Sequence, residues 1–289
     1  MIIVTGATGQ LGRIIVEQLL KRTPAAGIGV SVRNPEKAQG LSSLGVRVRK
    51  GDFDDAASLR HAFEGATQVL MVSSNARSYG GDPIAQHRTT IEVAKAAGAR
   101  RVLYTSQIAA SPTSAFHPAL DHAATEALLG ESGLPFTALR NGFYATSAVA
   151  MLLGALKSGE LVTPADGKFS WTAHADLAEA AAAILCDEGR FNGPTPPLTG
   201  AEALDFTQLC AVVSLVTGQE LRRVTVTDEE YVASMVKRGT PERVAKFALG
   251  MFIASRRGEF AAVDPTLAQL VGHAPLTFRD VLLAKLANQ

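Results

Sequence analysis

The sequence predicts an α/β fold in which a doubly wound parallel sheet is followed by a smaller, mainly helical C-terminal substrate lobe. Two observations lead to this prediction. An apolar run at residues 2–4 passes through three glycines into an amphipathic helical pattern. Strand and helix patterns then alternate over about half of the chain, which is typical of parallel strands joined by crossover helices.

Each element of the first half has its own signal. Apolar and β-branched runs mark strands, three- and four-residue spacing marks helices, and turn residues such as Gly98 separate them. After the first strand and helix, strands are predicted at 27–33, 46–50, 68–73, 101–105 and 136–139, and helices at 35–44, 56–63, 84–97 and 120–129. Residues 1–140 are therefore predicted to form a Rossmann-type region that binds a dinucleotide at the carboxyl ends of its strands.

Beyond residue 140 the alternation loosens. A short extended piece and an Ala-rich helix are predicted at 170–185, and an edge strand flanked by prolines at 195–199. Further helices are predicted at 206–217, 228–238, 241–256 and 278–286. We expect residues 141–289 to form a substrate or lid region interleaved with the last strands of the same sheet.

Composition excludes several classes of protein. With a net charge of +1, 19% charged and 47% hydrophobic residues, the chain gives no electrostatic reason to bind nucleic acid or an anionic membrane. The first strand begins at the start of the chain and apolar runs are short, so we expect neither signal peptide nor membrane span, and a cytoplasmic location. Cys186 and Cys210 are expected to be buried free thiols, and the histidine spacing suits no metal site.

The turn at Gly6, Gly9 and Gly12 is the strongest functional signal. A strand that enters a glycine-rich turn and a helix N-terminus presents backbone N–H groups to an anion, and glycine lets a pyrophosphate approach. The spacing Gly-x-x-Gly-x-x-Gly differs from the general Gly-x-Gly-x-x-Gly fingerprint, and an ordinary strand–turn–helix corner is the alternative. The cofactor-binding residues predicted here are Thr5, Gly6, Thr8, Gly9, Gln10, Leu11 and Gly12.

Arg33 indicates which dinucleotide binds. It ends the second predicted strand, where a site that prefers NAD places Asp or Glu to bind the ribose hydroxyls. A guanidinium instead matches a 2′-phosphate with paired N–H donors, so we predict NADPH as the cofactor. The alternative is a solvated loop arginine.

Two further strand ends supply predicted cofactor contacts. We expect Asp52 and Phe53 to reach the edge and the face of the adenine, although Asp52 can also be a helix cap. Asp54 and Asp55 suit the capping role better. Ser73, Ser74 and Asn75 are expected to border the nicotinamide half, with simple turn formation as the alternative.

These motifs resemble those of the NmrA-like, atypical short-chain dehydrogenase/reductases. The resemblance covers essentially the full length and is closest to the quinone oxidoreductase 2 and triphenylmethane reductase types. It rests on TGATGQLG at 5–12, RN at 33–34, GDF at 51–53, YTS at 104–106, LRNGFY at 139–144 and the HxDLA start at 174. It implies an NADPH-dependent oxidoreductase, with Thr105 as a further cofactor residue.

The chain departs from the wider superfamily at its usual Tyr-x-x-x-Lys pair. None of the four tyrosines is followed by lysine four residues later, and the corresponding helix carries His122 and Glu126. That speaks against dehydrogenation, epimerisation or dehydration through a Tyr-Lys pair. The resembling subgroup has His and Glu in these places. His122 can act as a proton donor, or it can simply pair with Glu126 one helical turn away.

Without a strong acid–base pair, hydride transfer to an already electrophilic acceptor remains possible. A quinone or cationic dye needs mainly correct placement against the nicotinamide. We expect Asn141 and Tyr144 to border it, the alternative being an Asn-Gly turn with a packed aromatic ring. The rival function is a non-catalytic NADP(H)-binding redox sensor of the NmrA type, and a third is imine reduction with His122 as acid. The expected partner is a small aromatic or quinone-like molecule, bound by a monomer or homodimer.

Overall fold

The computed structural model describes residues 1–287, and its first half alternates strands and helices. The last two residues of the predicted C-terminal region lie outside the described residues. The elements up to residue 141 are β1 (Ile2–Thr5), α1 (Gln10–Leu20), β2 (Ile28–Val32), α2 (Gln39–Ser43), β3 (Arg47–Lys50), α3 (Ala56–Phe63), β4 (Gln68–Met71), α4 (Pro83–Ala96), β5 (Arg101–Gln107), α5 (His117–Glu131) and β6 (Phe136–Asn141). Short 3-10 helices occupy Ala25–Gly27, Pro35–Ala38 and Ala76–Tyr79.

The second half is richer in helix. Its elements are β7 (Phe143–Tyr144), α6 (Ala145–Ala155), β8 (Glu160–Pro164), β9 (Trp171–Thr172), α7 (His174–Cys186), β10 (Gly193–Pro194), α8 (Phe206–Thr217), β11 (Arg222–Val226), α9 (Asp228–Lys237), α10 (Glu242–Arg256), α11 (Thr266–Val271) and α12 (Phe278–Leu286).

A seven-stranded sheet has the order β10-β6-β5-β4-β1-β2-β3. β1 pairs in parallel with β2 and with β4, so Val4 lies between Val30 and Leu70. The chain leaves β1 toward one edge and returns to the other side through β4, which places the switch point at the carboxyl ends of β1 and β4. The predicted doubly wound parallel sheet is confirmed.

Buried apolar strands hold this sheet together. β2 and β4 are buried at every position, as expected for strands covered by helices on both faces. On one face, Ile3, Val69 and Val102 pack with Phe63 of α3 and Ile91 of α4 in a single apolar cluster. The sheet is therefore a rigid support for the loops at its carboxyl edge.

The contacts divide the chain into two compact units. The first consists of Met1–Gln107, Asp121–Arg140 and His174–Pro196. It contains the sheet, and α1 packs against α7 within it. The second consists of Ile108–Leu120, Asn141–Ala173 and the described residues from Pro197 onward.

The second unit has an aromatic core of its own. Phe169 stacks on Trp171 with ring centroids 4.7 Å apart, and Phe143 meets the edge of Phe260 at 4.9 Å. Phe206 from α8 contacts both members of the stacked pair. Two short parallel sheets, β7 with β9 and β8 with β11, complete this unit.

Several sequence predictions match the structure and a few differ. The helices predicted at 56–63, 206–217 and 278–286 are confirmed with those bounds. The strand predicted at 195–199 is wrong: β10 ends at Pro194, and Pro196 and Pro197 supply no N–H to continue the ladder. Helix α6 was not predicted, because its nearly continuous apolar sequence shows no amphipathic period.

The cysteine prediction is half right. Cys210 is buried, but Cys186 is exposed, because it is the last residue of α7 and is followed by an exposed turn. Among residues 1–287, no helix combines the length and apolarity needed to cross a membrane. No group of three or more His, Cys, Asp or Glu side chains in that range can hold a metal ion.

Candidate functional site

The glycine turn between β1 and α1 is built for a close-approaching anion. Gly6 has a φ of 62°, a left-handed conformation that favours glycine. A Cβ on Gly12 would lie 2.4 Å from the Gly6 carbonyl oxygen, so the helix can start this close to the turn only with glycine there. The N-cap, Gly9, supplies no side-chain cap, and the first turn of α1 holds no acidic residue. The helix N-terminus therefore offers N–H donors to a ligand.

A cleft of about 360 Å³ lies at this turn, within the first unit. Its walls come from the carboxyl ends of four neighbouring strands, β1 to β4. Nine of the predicted cofactor residues line it: Gly6, Thr8, Gly9, Arg33, Asp52, Phe53, Ser73, Ser74 and Asn75. Six lining residues were not predicted: Ser31, Val32, Gly51, Val72, Tyr79 and Gln86.

Arg33 and Ser31 form the part of the wall that β2 supplies. Arg33 is exposed beside the cleft, and the Asn34 side chain caps the following turn by accepting from the Glu36 N–H. The Ser31 hydroxyl is buried and has no hydrogen-bond partner among residues 1–287. An unpaired polar group in a pocket wall is suited to a polar ligand. Its sequence signal was a serine within an otherwise apolar strand.

The end of β3 supplies the next part of the wall. Asp55, and not Asp52, caps α3, since its carboxylate accepts from the N–H groups of Ala57 and Ser58. The Asp52 carboxylate accepts a local 3.2 Å hydrogen bond from the Asp54 N–H. A Cβ at Gly51 would lie 2.0 Å from the Ser31 hydroxyl oxygen. Glycine at this position therefore keeps the β2 and β3 ends close together.

The other predicted cofactor residues do not line the cleft. Thr5 and Thr105 are buried, and their hydroxyls accept from the N–H groups of Val72 and Ser73 at 2.9 and 2.8 Å. They orient the loop after β4. The structure places Leu11 and Gly12 in the buried part of α1 and leaves Gln10 exposed at its start, outside the cleft lining.

His122 is neutral and bonded to a tyrosine. Its Nδ1 lies 2.7 Å from the hydroxyl oxygen of Tyr104. Burial lowers the pKa of His122 to about 4, although the neighbouring Asp121 opposes this shift. Glu126, one turn later, accepts a two-armed ion pair from Arg140. His122 does not line the cleft of the first unit.

Asn141 and Tyr144 belong to the second unit. Burial raises the pKa of Tyr144, and a hydrogen bond with the Asn141 side chain acts in the opposite direction. Among the described residues, the Asn141 side-chain oxygen has no hydrogen-bond partner. The pair thus combines a protonated hydroxyl with a free amide oxygen, which suits contact with a polar ring substituent.

Comparison with known proteins decides the family. The model of the NmrA-like family matches residues 1–274. The chain belongs to the NmrA-like family. It is 36% identical to quinone oxidoreductase 2 of Escherichia coli over 281 residues, which cover 97% of this chain and 96% of that protein.

Two solved structures resemble this NmrA-like protein along its length. The NADPH complex of an E. coli NADPH-dependent quinone oxidoreductase has a TM-score of 0.91 and 35% identity, covering 99% of this chain and 100% of that one. The NADP(H) complex of Citrobacter triphenylmethane reductase has a TM-score of 0.88 and 32% identity, covering 98% and 99%. The predicted resemblance to these two types is confirmed.

Proposed function

We propose that this NmrA-like protein is an NADPH-dependent reductase that transfers hydride to a quinone or a similar conjugated, electrophilic acceptor. The observation that carries this proposal is the cleft at the carboxyl edge of the sheet. A glycine turn at a helix N-terminus lies on one side of it, and the exposed Arg33 on another. The relatives' named activities and their NADPH or NADP(H) complexes support the same conclusion.

The residues of the cleft suit each part of the coenzyme. The N–H groups at the start of α1 favour the pyrophosphate because they are unpaired and lie at the positive end of the helix dipole. Arg33 offers paired donors to a 2′-phosphate. Asp52 and Phe53 are proposed for the adenine, and the loop from Ser73 onward for the nicotinamide half. Bound NADPH supplies the hydride.

The protein's own contribution is then mainly placement. A conjugated acceptor is electrophilic before it binds, so orientation against the nicotinamide accounts for much of the rate. His122 is neutral near pH 7, since burial lowers its pKa to about 4. We therefore propose that water supplies the final proton, and that His122 orients the Tyr104 hydroxyl, to which it is hydrogen-bonded. Asn141 and Tyr144 remain candidates for the acceptor on the strength of the family resemblance.

The test follows NADPH absorbance with a panel of quinones, cationic dyes and imines, with NADH as the coenzyme control. Rapid oxidation of NADPH with quinones or dyes, and slow oxidation of NADH, is the expected result. Tight NADPH binding without turnover by any acceptor would instead support the redox sensor. Turnover confined to imines would indicate a reductase of a different substrate class.

A further inference from the structure

Two consecutive residues of α4, Gln86 and His87, hold the same residue of the cleft loop. The Ser74 hydroxyl donates to the Gln86 side-chain oxygen at 2.5 Å. The Ser74 backbone N–H donates to His87 Nε2 at 2.9 Å. Ser74 is thereby fixed at both its side chain and its backbone.

The His87 ring is fixed in one tautomer by its other nitrogen. Nδ1 lies 2.8 Å from the Thr125 hydroxyl oxygen, and that hydroxyl donates its only hydrogen to the Asp121 carbonyl. Nδ1 must therefore carry the proton and donate it to Thr125, which leaves Nε2 as the acceptor for Ser74. His87 and Thr125 are 1% and 0% exposed, so water cannot replace either partner.

Two further contacts hold the surroundings of Ser74 in place. The Gln86 amide nitrogen donates to Asp54 at 2.8 Å, which fixes the orientation of the amide. Arg77, in the 3-10 helix after the loop, makes a two-armed ion pair with Asp121 at 2.6 Å for each arm. The loop is thus held in its position before a ligand arrives, and a preorganised loop loses less entropy on binding.

We propose that His87 is a positioning residue for coenzyme binding: as a neutral acceptor it holds the Ser74 backbone, and so sets the shape of the Ser73–Asn75 side of the cleft. This inference rests on the proposed function, because it takes the cleft as the NADPH site. His87 does not line the cleft and acts through Ser74. Burial lowers its pKa to about 3, consistent with a ring that stays neutral.

The test compares His87→Phe, which keeps a planar aromatic ring and removes the acceptor, with His87→Gln, whose amide oxygen can accept from Ser74. NADPH dissociation constants come from fluorescence titration of the intact protein, and kcat and KM from turnover with 1,4-naphthoquinone. Loss of one buried hydrogen bond corresponds to roughly tenfold weaker binding. For His87→Phe we expect a roughly tenfold increase in the Kd and the KM for NADPH, with little change in kcat. In His87→Gln both values should return close to those of the wild-type protein.

A stability control separates positioning from general destabilisation. Ile91 is buried on the same helix in an apolar cluster, and its side chain can take no part in the loop's hydrogen bonds. Ile91→Ala should lower the melting temperature and leave the NADPH Kd unchanged. An unchanged Kd in folded His87→Phe, or a Kd that follows melting temperature across all three variants, would overturn the proposal.

A spectroscopic measurement tests the hydrogen bond between His87 and the Ser74 N–H without coenzyme. Long-range ¹H–¹⁵N correlation of the histidine rings should show His87 protonated at Nδ1 alone at pH 7, and a proton on Nε2 would overturn the inference. If the wild-type protein shows this tautomer but binds no NADPH, the proposed function fails. The hydrogen bond between His87 and Ser74 would then exist without a role in coenzyme binding.

Discussion

Glu126 accepts both arms of the Arg140 guanidinium, with Nε–Oε1 and Nη2–Oε2 distances of 3.1 and 2.7 Å. The Ser106 hydroxyl donates a further hydrogen bond to Oε1 at 2.6 Å. Glu126 lies on α5, the helix that we predicted to correspond to the Tyr-x-x-x-Lys helix of the wider superfamily. Here its acidic residue is neutralised by Arg140, and His122 bonds Tyr104 instead. The helix therefore carries a neutral histidine and a paired glutamate.

Replacing Glu126 should destabilise the first unit. In Glu126→Gln, Arg140 loses its countercharge while two-thirds buried, and we expect the free energy of unfolding to fall by about 2 kcal/mol. Urea denaturation measures this. The matched control is Glu242→Gln in the exposed pair with Lys246, for which we expect a much smaller loss of stability. Equal effects of the two substitutions would contradict the argument.

Gly12→Ala should disrupt the turn. The new Cβ would lie 2.4 Å from the Gly6 carbonyl oxygen, a backbone atom that cannot move aside. We expect a loss of about 2 kcal/mol in unfolding free energy and weaker NADPH binding. Gly40→Ala is the control, because a Cβ there meets nothing within 4 Å and alanine favours the helix. Normal NADPH affinity in Gly12→Ala would show that the turn does not bind the coenzyme.

Arg33→Asp tests the choice of coenzyme. Hydrogen bonds to a charged group are worth about 1.5–3 kcal/mol, so the Kd for NADPH should rise roughly 10- to 100-fold. The Kd for NADH should change little, because NADH lacks the 2′-phosphate. Lys37→Asp makes the same charge change at a nearby exposed residue outside the cleft lining. Equal losses for both coenzymes would rule out the 2′-phosphate role.

The pH profile of turnover tests His122. Its folded pKa of about 4 lies well below neutral pH, so kcat for quinone reduction should stay constant from about pH 6 to 8, with no histidine ionisation. His122→Gln should lower kcat by less than tenfold, because loss of a general acid typically costs about 100-fold or more. If kcat of the wild-type protein instead fell as the pH rose through a pKa near neutrality, and kcat of His122→Gln did not depend on pH, His122 would be the proton donor.

Stability should depend on pH through His87. Burial lowers its folded pKa from 6.5 to about 3, with His122 acting in the same direction and Asp82 opposing. As pH falls below 6.5, the unfolded chain takes up a proton that the folded chain excludes. The free energy of unfolding therefore falls toward acid, by at most about 1.4 kcal/mol per pH unit from this group. Urea denaturation at several pH values gives the unfolding free energy as a function of pH. This dependence should be shallower in His87→Gln than in the wild-type protein, and equal pH dependence in the two proteins would contradict the lowered pKa of His87.

Local sequence signals predicted much of the fold. Helix α3 was predicted with its observed bounds because Asp55 is followed by an amphipathic run, and both signals lie within nine residues. The strand ends at Arg33, Asp52 and Ser73 were predicted to share one edge, since the carboxyl ends of parallel strands meet there. Helix α6 escaped prediction because apolar residues such as Met151 also occupy its exposed side, which removes the periodicity on which prediction depends.

Side-chain partners were beyond the sequence. A buried serine and histidine such as Ser31 and His87 belong to no motif. The role of Ser31 depends on its place in the cleft wall, and that of His87 on which residues distant in sequence come within 3 Å of it. His87 meets Thr125, 38 residues later. The sequence spacing offered His122 as a partner for Glu126, but in the structure Glu126 pairs with Arg140 of β6.

By itself, the sequence determined the parallel α/β architecture, the glycine turn and the basic residue at the second strand end. Each of these depends on the conformational and chemical preferences of a few neighbouring residues. The tertiary structure alone decided that His122 is neutral, that Glu126 pairs with Arg140, and that His87 holds the loop at Ser74. These properties depend on desolvation and on hydrogen bonds between segments far apart in the chain, which no local pattern encodes.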